Sequence, residues 1–172
     1  MPPPVPARVV VADTNVLINL IHVGQLALLG ALPGCEFVVP EDVVSEITDV
    51  QQRAAFDAAL AAGHLRKEPI TDPQELARYA EFRAIMGKGE AACIALAKSR
   101  GWLIASDEKR PLRREVHRWL GPGRLITTPG LFVVGIRAGV LTIEEADRAK
   151  DLLEQRRFRM SFRSFRDVVG NQ

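Results

Sequence analysis

The stretch RVVVADTN, residues 8–15, decides the fold. Arg8 is followed by four consecutive apolar residues, and the run stops at Asp13. A strand that is apolar at successive positions has no wet face, so it belongs in a parallel sheet covered on both sides. Sheets of that kind bind ligands at the carboxyl ends of their strands. A charged residue at such an end is a candidate for chemistry, and Asp13 stands there. A second run, WLIA at residues 102–105, stops at Ser106-Asp107 in the same way. If the two strands are neighbours, their carboxylates share one crevice.

Working outward, strands and helices alternate. Residues 15–29 have helical spacing through Leu17, Leu20, Ile21 and Leu28, up to the Pro33-Gly34 break. Residues 36–39 form a short strand. Pro40 then opens a helix with Val43, Val44 and Ile47 on its apolar side, a position where proline's missing amide proton costs nothing. Residues 51–62 are an alanine-rich helix closed by Gly63, and residues 64–70 are expected as an edge strand. Further helices are expected from Asp72-Pro73, over 90–99, over 108–120, over 130–138 and over 142–154, with a strand at 125–126. Thr142 with Glu145 three residues on has the pattern of a capping box. A last element starts near Ser161. The alternation predicts an α/β fold: a single domain with a central, mostly parallel sheet flanked by helices and a helical C-terminal tail. Residues 1–7 read as a flexible leader, 8–140 as the domain, and 141–172 as a helical extension packed on it.

Composition narrows the function class. The chain has 172 residues, 47% hydrophobic and 26% charged, with a net charge of +2. That length suits one domain with its own core. The net charge is too small to name a partner. Cys35 and Cys93 belong to no paired motif, which argues against zinc and fits small buried side chains in a reducing compartment. No apolar run is long enough to span a bilayer, and the proline-rich start lacks a signal-peptide core. A cytoplasmic protein with no membrane role is expected.

Two further acids stand at telling places. Glu90 opens a helix after Gly87-Lys88-Gly89, on the same side as Ile94 and Ala97. Glu46 lies beside Val43 and Ile47. Two carboxylates about 4 Å apart repel by roughly 4 kcal/mol at an effective dielectric near 20. Several gathered in one cleft therefore need protons or cations, and hard ions such as Mg²⁺ or Mn²⁺ take oxygen ligands. Bound there, such an ion activates water and stabilises charge on a phosphate under attack.

These residues resemble the motifs of the PIN-domain nucleases. VVVADTNVLI looks like the family's opening strand, VVPEDVVSEI its second segment, GKGEAACIALAKSRG its Gly-Glu-Ala helix, and WLIASDEKRPLRREV the strand that brings the fourth acid. The resemblance implies a catalytic set of Asp13, Glu46, Glu90 and Asp107. It makes Asp13, Glu90 and Asp107 the ligands of Mg²⁺ or Mn²⁺, and gives Thr14, Asn15, Ser106 and Glu108 supporting places. The family often carries a further acid at the last motif, and whether Glu108 fills that role is open. The tail looks like that of bacterial toxins of the VapC kind, which implies a ribonuclease toxin of a type II pair, a cognate antitoxin and a homodimer.

Basic residues follow the last acid. Lys109, Arg110, Arg113 and Arg114 are candidates for contacting RNA, since cations beside the cleft neutralise phosphates flanking the cut. In the tail, Phe158, Phe162 and Phe165 alternate with arginines. Aromatic rings among arginines can stack on unpaired bases, but the spacing of Phe162, Phe165 and Val169 favours packing. Two other readings are weighed. A PIN fold could bind RNA or protein without cutting. A phosphoacceptor receiver domain needs a paired acid at its first strand, where this chain has Ala12, and a lysine after its last, where it has Thr127-Thr128-Pro129.

Overall fold

The computed structural model describes residues 7–170, so all but the last position of the expected leader lies outside the described residues. The elements run in the order β1 (Arg8–Ala12), α1 (Thr14–His22), α2 (Ala27–Ala31), β2 (Cys35–Val39), α3 (Glu41–Glu46), α4 (Val50–Ala61) and β3 (Arg66–Lys67). Then come α5 (Pro73–Arg83), α6 (Lys88–Arg100), β4 (Leu103–Ala105), α7 (Leu112–Leu120), β5 (Leu125–Ile126), α8 (Thr128–Arg137), α9 (Ile143–Gln155) and α10 (Phe165–Val169).

The five strands form one sheet in the order β3-β2-β1-β4-β5, and every pairing is parallel. The α/β fold with its flanking helices is therefore as the sequence predicts, and the sheet is wholly rather than mostly parallel. Val10, Val11 and Ala12 are fully buried, as a central strand requires. The chain builds outward from β1 in one direction through β2 and β3, then returns to the other side of β1 with β4. The order thus reverses between β1 and β4, the position at whose strand ends sheets of this kind bind ligands.

Helix α6 packs on β1 and β4 and touches α3, α5 and α7. Every residue from Ala91 to Ala97 is fully buried, and four of these seven are alanine. Small side chains let a helix lie close against its neighbours on all sides, so α6 has no polar stripe of the surface-helix kind.

Several boundaries differ from the sequence expectation, each for a local reason. The expected helix over 15–29 is two helices. Gly24 adopts φ +66°, and the amide of Gln25 donates to the carbonyl of Leu20, a helix-ending pattern that favours glycine. Pro40 is the N-cap of α3 rather than its first residue. The edge strand keeps only two residues, both charged, which suits an edge. The basic helix starts at Leu112 because Pro111 disfavours helical geometry at Arg110. Ser164, not Ser161, caps α10. The Asp147 carboxylate accepts from the Ser164 hydroxyl at 2.7 Å and from the Phe165 amide at 2.8 Å, fixing that start. Phe165 is fully buried and meets Phe132 of α8 edge-on at 5.7 Å.

Candidate functional site

Asp13 sits at the switch point. Its amide donates to the Ala105 carbonyl at 2.9 Å, joining the ends of β1 and β4. It is the N-cap of α1, and its Oδ1 accepts from the Thr14 amide at 2.8 Å. Its Oδ2 accepts from the Ser106 hydroxyl at 2.9 Å. Asp13 is 2% exposed. Burial is the main reason its carboxyl is pushed up to about 6, with Glu46 and Glu108 pushing the same way and the Ser106 and Thr14 bonds pulling back.

Asn15 ties the two strand ends together a second time. Its Oδ1 accepts from the Asp107 amide at 3.1 Å, and its Nδ2 lies 3.5 Å from both Asp13 Oδ2 and Ser106 Oγ. The Ser106 oxygen in turn accepts from the Glu108 amide at 3.1 Å. The loop after β4 is thus pinned to the start of α1 by polar contacts that the sequence motif alone places 91 or more residues apart.

Glu46 ends α3 and is exposed as a residue, yet its carboxylate is held from both sides. Oε2 accepts a short hydrogen bond from the Thr14 hydroxyl, and Oε1 accepts from the Gly89 amide at 3.0 Å. A β-carbon at Gly89 would lie 2.7 Å from Oε2, so glycine is what lets this carboxylate approach the start of α6. Glu90 is next along, in the first turn of α6 and half-buried. Its carboxyl is pushed up to about 7, first by burial and then by Asp13, Glu108 and Glu46. A carboxylate in a helix's first turn is ordinarily favoured; here the neighbouring acids and the dry surroundings outweigh that.

The structure therefore brings Asp13, Glu46, Glu90 and Glu108 into one mutually repelling group. Asp107 is arranged differently. Its Oδ1 accepts from the Thr128 amide at 2.7 Å, and its Oδ2 from the Asn19 amide group at 2.9 Å and from the Thr128 hydroxyl. Its carboxylate thus holds the N-terminus of α8 while its backbone borders the site. The sequence reading missed Asn19 and Thr128. Asn19 lies one helical turn beyond Asn15 on the same face of α1, and that spacing is the signal that could have found it. Thr128 carries no such signal.

All donors in this cluster are oxygens. The one nearby sulfur, Cys93, is fully buried and its thiol is pushed well up, chiefly by burial. That donor chemistry fits Mg²⁺ or Mn²⁺, whose charge would offset the repulsion that raises Asp13 and Glu90. Among the described residues no three Asp, Glu, His or Cys side chains already stand as ligands of a single ion. Mg²⁺ does not require that, since it commonly takes one or two protein carboxylates and fills its shell with water and phosphate oxygens.

Basic residues border the acids. A cleft of about 640 Å³ is lined by Lys109, Arg110, Arg113, Arg114, His117 and Arg124, among others. No helix among the described residues is long and apolar enough to cross a membrane. Compared with known families, residues 9–170 match the model of DUF3368, described as a PIN domain. No curated protein matches the chain significantly.

Proposed function

Because the chain belongs to the PIN-domain family, a nuclease-type fold, we propose that it is a Mg²⁺- or Mn²⁺-dependent endoribonuclease that hydrolyses phosphodiester bonds. The observation that carries this reading is the cluster of Asp13, Glu46, Glu90 and Glu108 at the β1/β4 switch point, in which Asp13 is pushed up to about 6 and Glu90 to about 7.

The roles follow from the geometry. Asp13, Glu90 and Glu108 would hold the ion, with Glu46 at the rim on Thr14 and Gly89. When bound, the ion supplies an activated water and offsets charge developing on the phosphate. Ser106 favours the deprotonated form of Asp13 by donating to it, against the burial that raises it, and so helps fit it to bind a cation. Thr14 orients Glu46. Asp107, expected from the resemblance as a metal ligand, has its carboxylate committed to Asn19 and Thr128; in our reading it positions the loop that carries Ser106 and Glu108. Lys109, Arg110, Arg113 and Arg114 would draw the polyanion to the acids.

The direct experiment is cleavage of single-stranded RNA with Mg²⁺, Mn²⁺ or EDTA. Cleavage should need the metal and fall at least ~100-fold in Asp13→Asn, the scale of lost charge stabilisation at a reacting centre. Undiminished cleavage by that variant would show that the site is misplaced. We also propose the toxin role, with a cognate antitoxin, a homodimer and a cytoplasmic location. Growth arrest on induced expression, relieved in Asp13→Asn, is its test.

A second reading, a PIN fold that binds RNA or protein without cutting, draws on the absence among the described residues of a ready three-ligand metal group. RNA binding without cleavage under either metal would select it.

A further inference from the structure

A second cleft, of about 480 Å³, runs from Glu108, one member of the acid group, to the C-terminal tail. It is lined by Asp107, Glu108, Lys109, Arg110, Arg157, Phe158 and Arg159. The tail enters it by a sharp turn after α9: Arg157 adopts φ +66°, the one non-glycine residue with positive φ among the described residues. The turn is closed by the Phe158 amide donating to the Leu153 carbonyl at 3.0 Å. Phe158 packs partly on the core and is half-buried, so its ring is held at the cleft wall rather than loose in solvent.

The cations in this cleft lack ion-pair partners. Among the described residues, Lys109, Arg110, Arg157 and Arg159 make no ion pair, although Asp107 and Glu108 line the same space. Five arginines elsewhere are held in ion pairs, Arg53, Arg66, Arg100, Arg114 and Arg166; these four cations are not. Four unpaired cations around one aromatic wall, opening on an acidic cleavage site, suit a strand that brings both phosphates and exposed bases. A duplex offers no exposed base faces, whereas single strands stack on aromatic side chains while cations follow the backbone.

We propose that Arg157, Phe158 and Arg159, with Lys109 and Arg110, form a nucleotide subsite that takes an unpaired base next to the scissile phosphate. This deepens the ribonuclease reading and rests on it. The base stacks on Phe158 and its flanking phosphates meet the arginines. The larger basic cleft shares Lys109 and Arg110 with this one, so the strand continues toward Arg113 and Arg114.

The test is binding of a fluorescein-labelled single-stranded RNA 12-mer to the full chain without divalent metal. The same RNA as a duplex and an abasic ribose-phosphate 12-mer serve as comparisons. Arg157 and Arg159 are both exposed, so R157A/R159A should fold normally. It should bind the single strand about 10-fold more weakly, with a salt slope shallower by about 1–1.5 for two phosphate contacts. F158L keeps apolar bulk and removes the ring. It should cost about 5- to 10-fold on the RNA, within the range for one lost stack, and nothing on the abasic strand. Unchanged single-strand affinity in both variants, with the wild type binding and cutting RNA, would overturn the subsite and leave the ribonuclease reading standing. Equal losses on duplex and single strand would also overturn it. Variant-sensitive binding by a wild type that cuts nothing would do the opposite, keeping the subsite and removing the enzyme.

Discussion

The Ser106 hydroxyl donates to Asp13 Oδ2 at 2.9 Å, across the seam where β4 meets β1. Both residues are buried, and this bond is foremost among the influences that draw the Asp13 proton off. Ser106→Ala should therefore raise Asp13 further and weaken cation binding about 10-fold, the equivalent of one hydrogen bond to a charged group. A Mn²⁺ titration checks it. Equal affinity in the variant would mean that Asp13 does not hold the ion.

The pH dependence follows from the same acids. Asp13 is raised from 3.8 to about 6 and Glu90 from 4.5 to about 7. Between the ordinary and raised values the folded chain binds more protons than the unfolded one. Their contribution to stability is thus full below about pH 4 and is lost as pH rises through 6 and 7. For buried Asp13 the loss is about 2–3 kcal/mol. In EDTA, the wild type should lose that much stability relative to Asp13→Asn between pH 4.5 and 8, measured by urea unfolding. Added Mg²⁺ should restore more stability at pH 8 than at pH 5.5, because proton and cation compete for the same oxygens.

Gly89 offers a separation of stability from activity. Its backbone is helical, so alanine would be favoured by up to about 1 kcal/mol on propensity alone. The added carbon, however, meets the Glu46 carboxylate at 2.7 Å. Gly89→Ala should melt within a few degrees of the wild type while cleavage falls about 10-fold or more. Full activity would show that Glu46 can sit elsewhere.

Asp107 and Glu108 should fail in different ways. Asp107→Asn removes the charge at the start of α8 and should cost about 1–2 kcal/mol of stability along with activity. Glu108→Gln leaves those bonds alone and should lower cleavage at least ~10-fold with little change in melting. If Asp107→Asn alone abolishes metal binding and Glu108→Gln does not, the ligand set reverts to the one the motif resemblance implies.

The parallel sheet was legible because Val9–Val11 and Leu103–Ile104 are apolar at consecutive positions, and only burial on both faces explains that. The order of the strands was not, since nothing local encodes which strand neighbours which. Asp13 could be found because a charge interrupts an apolar run. The split between Asp107 and Glu108 was hidden, because it depends on Thr128, whose approach comes from the β5–α8 turn. The start of α10 was misplaced for a similar reason: Asp147, 17 residues upstream of Ser164, sets it.

Phe165 presses on Phe132 within α8, and the first residue of that helix is gripped by Asp107. The far end of the chain is thereby a mechanical brace for the loop that delivers Ser106 and Glu108. A shortened protein that stops before Phe165 would keep Asp13, Glu46, Glu90 and Glu108 and still lose the stiffness that aims them. Anything that grasps α10 would have a lever on catalysis without entering the crevice.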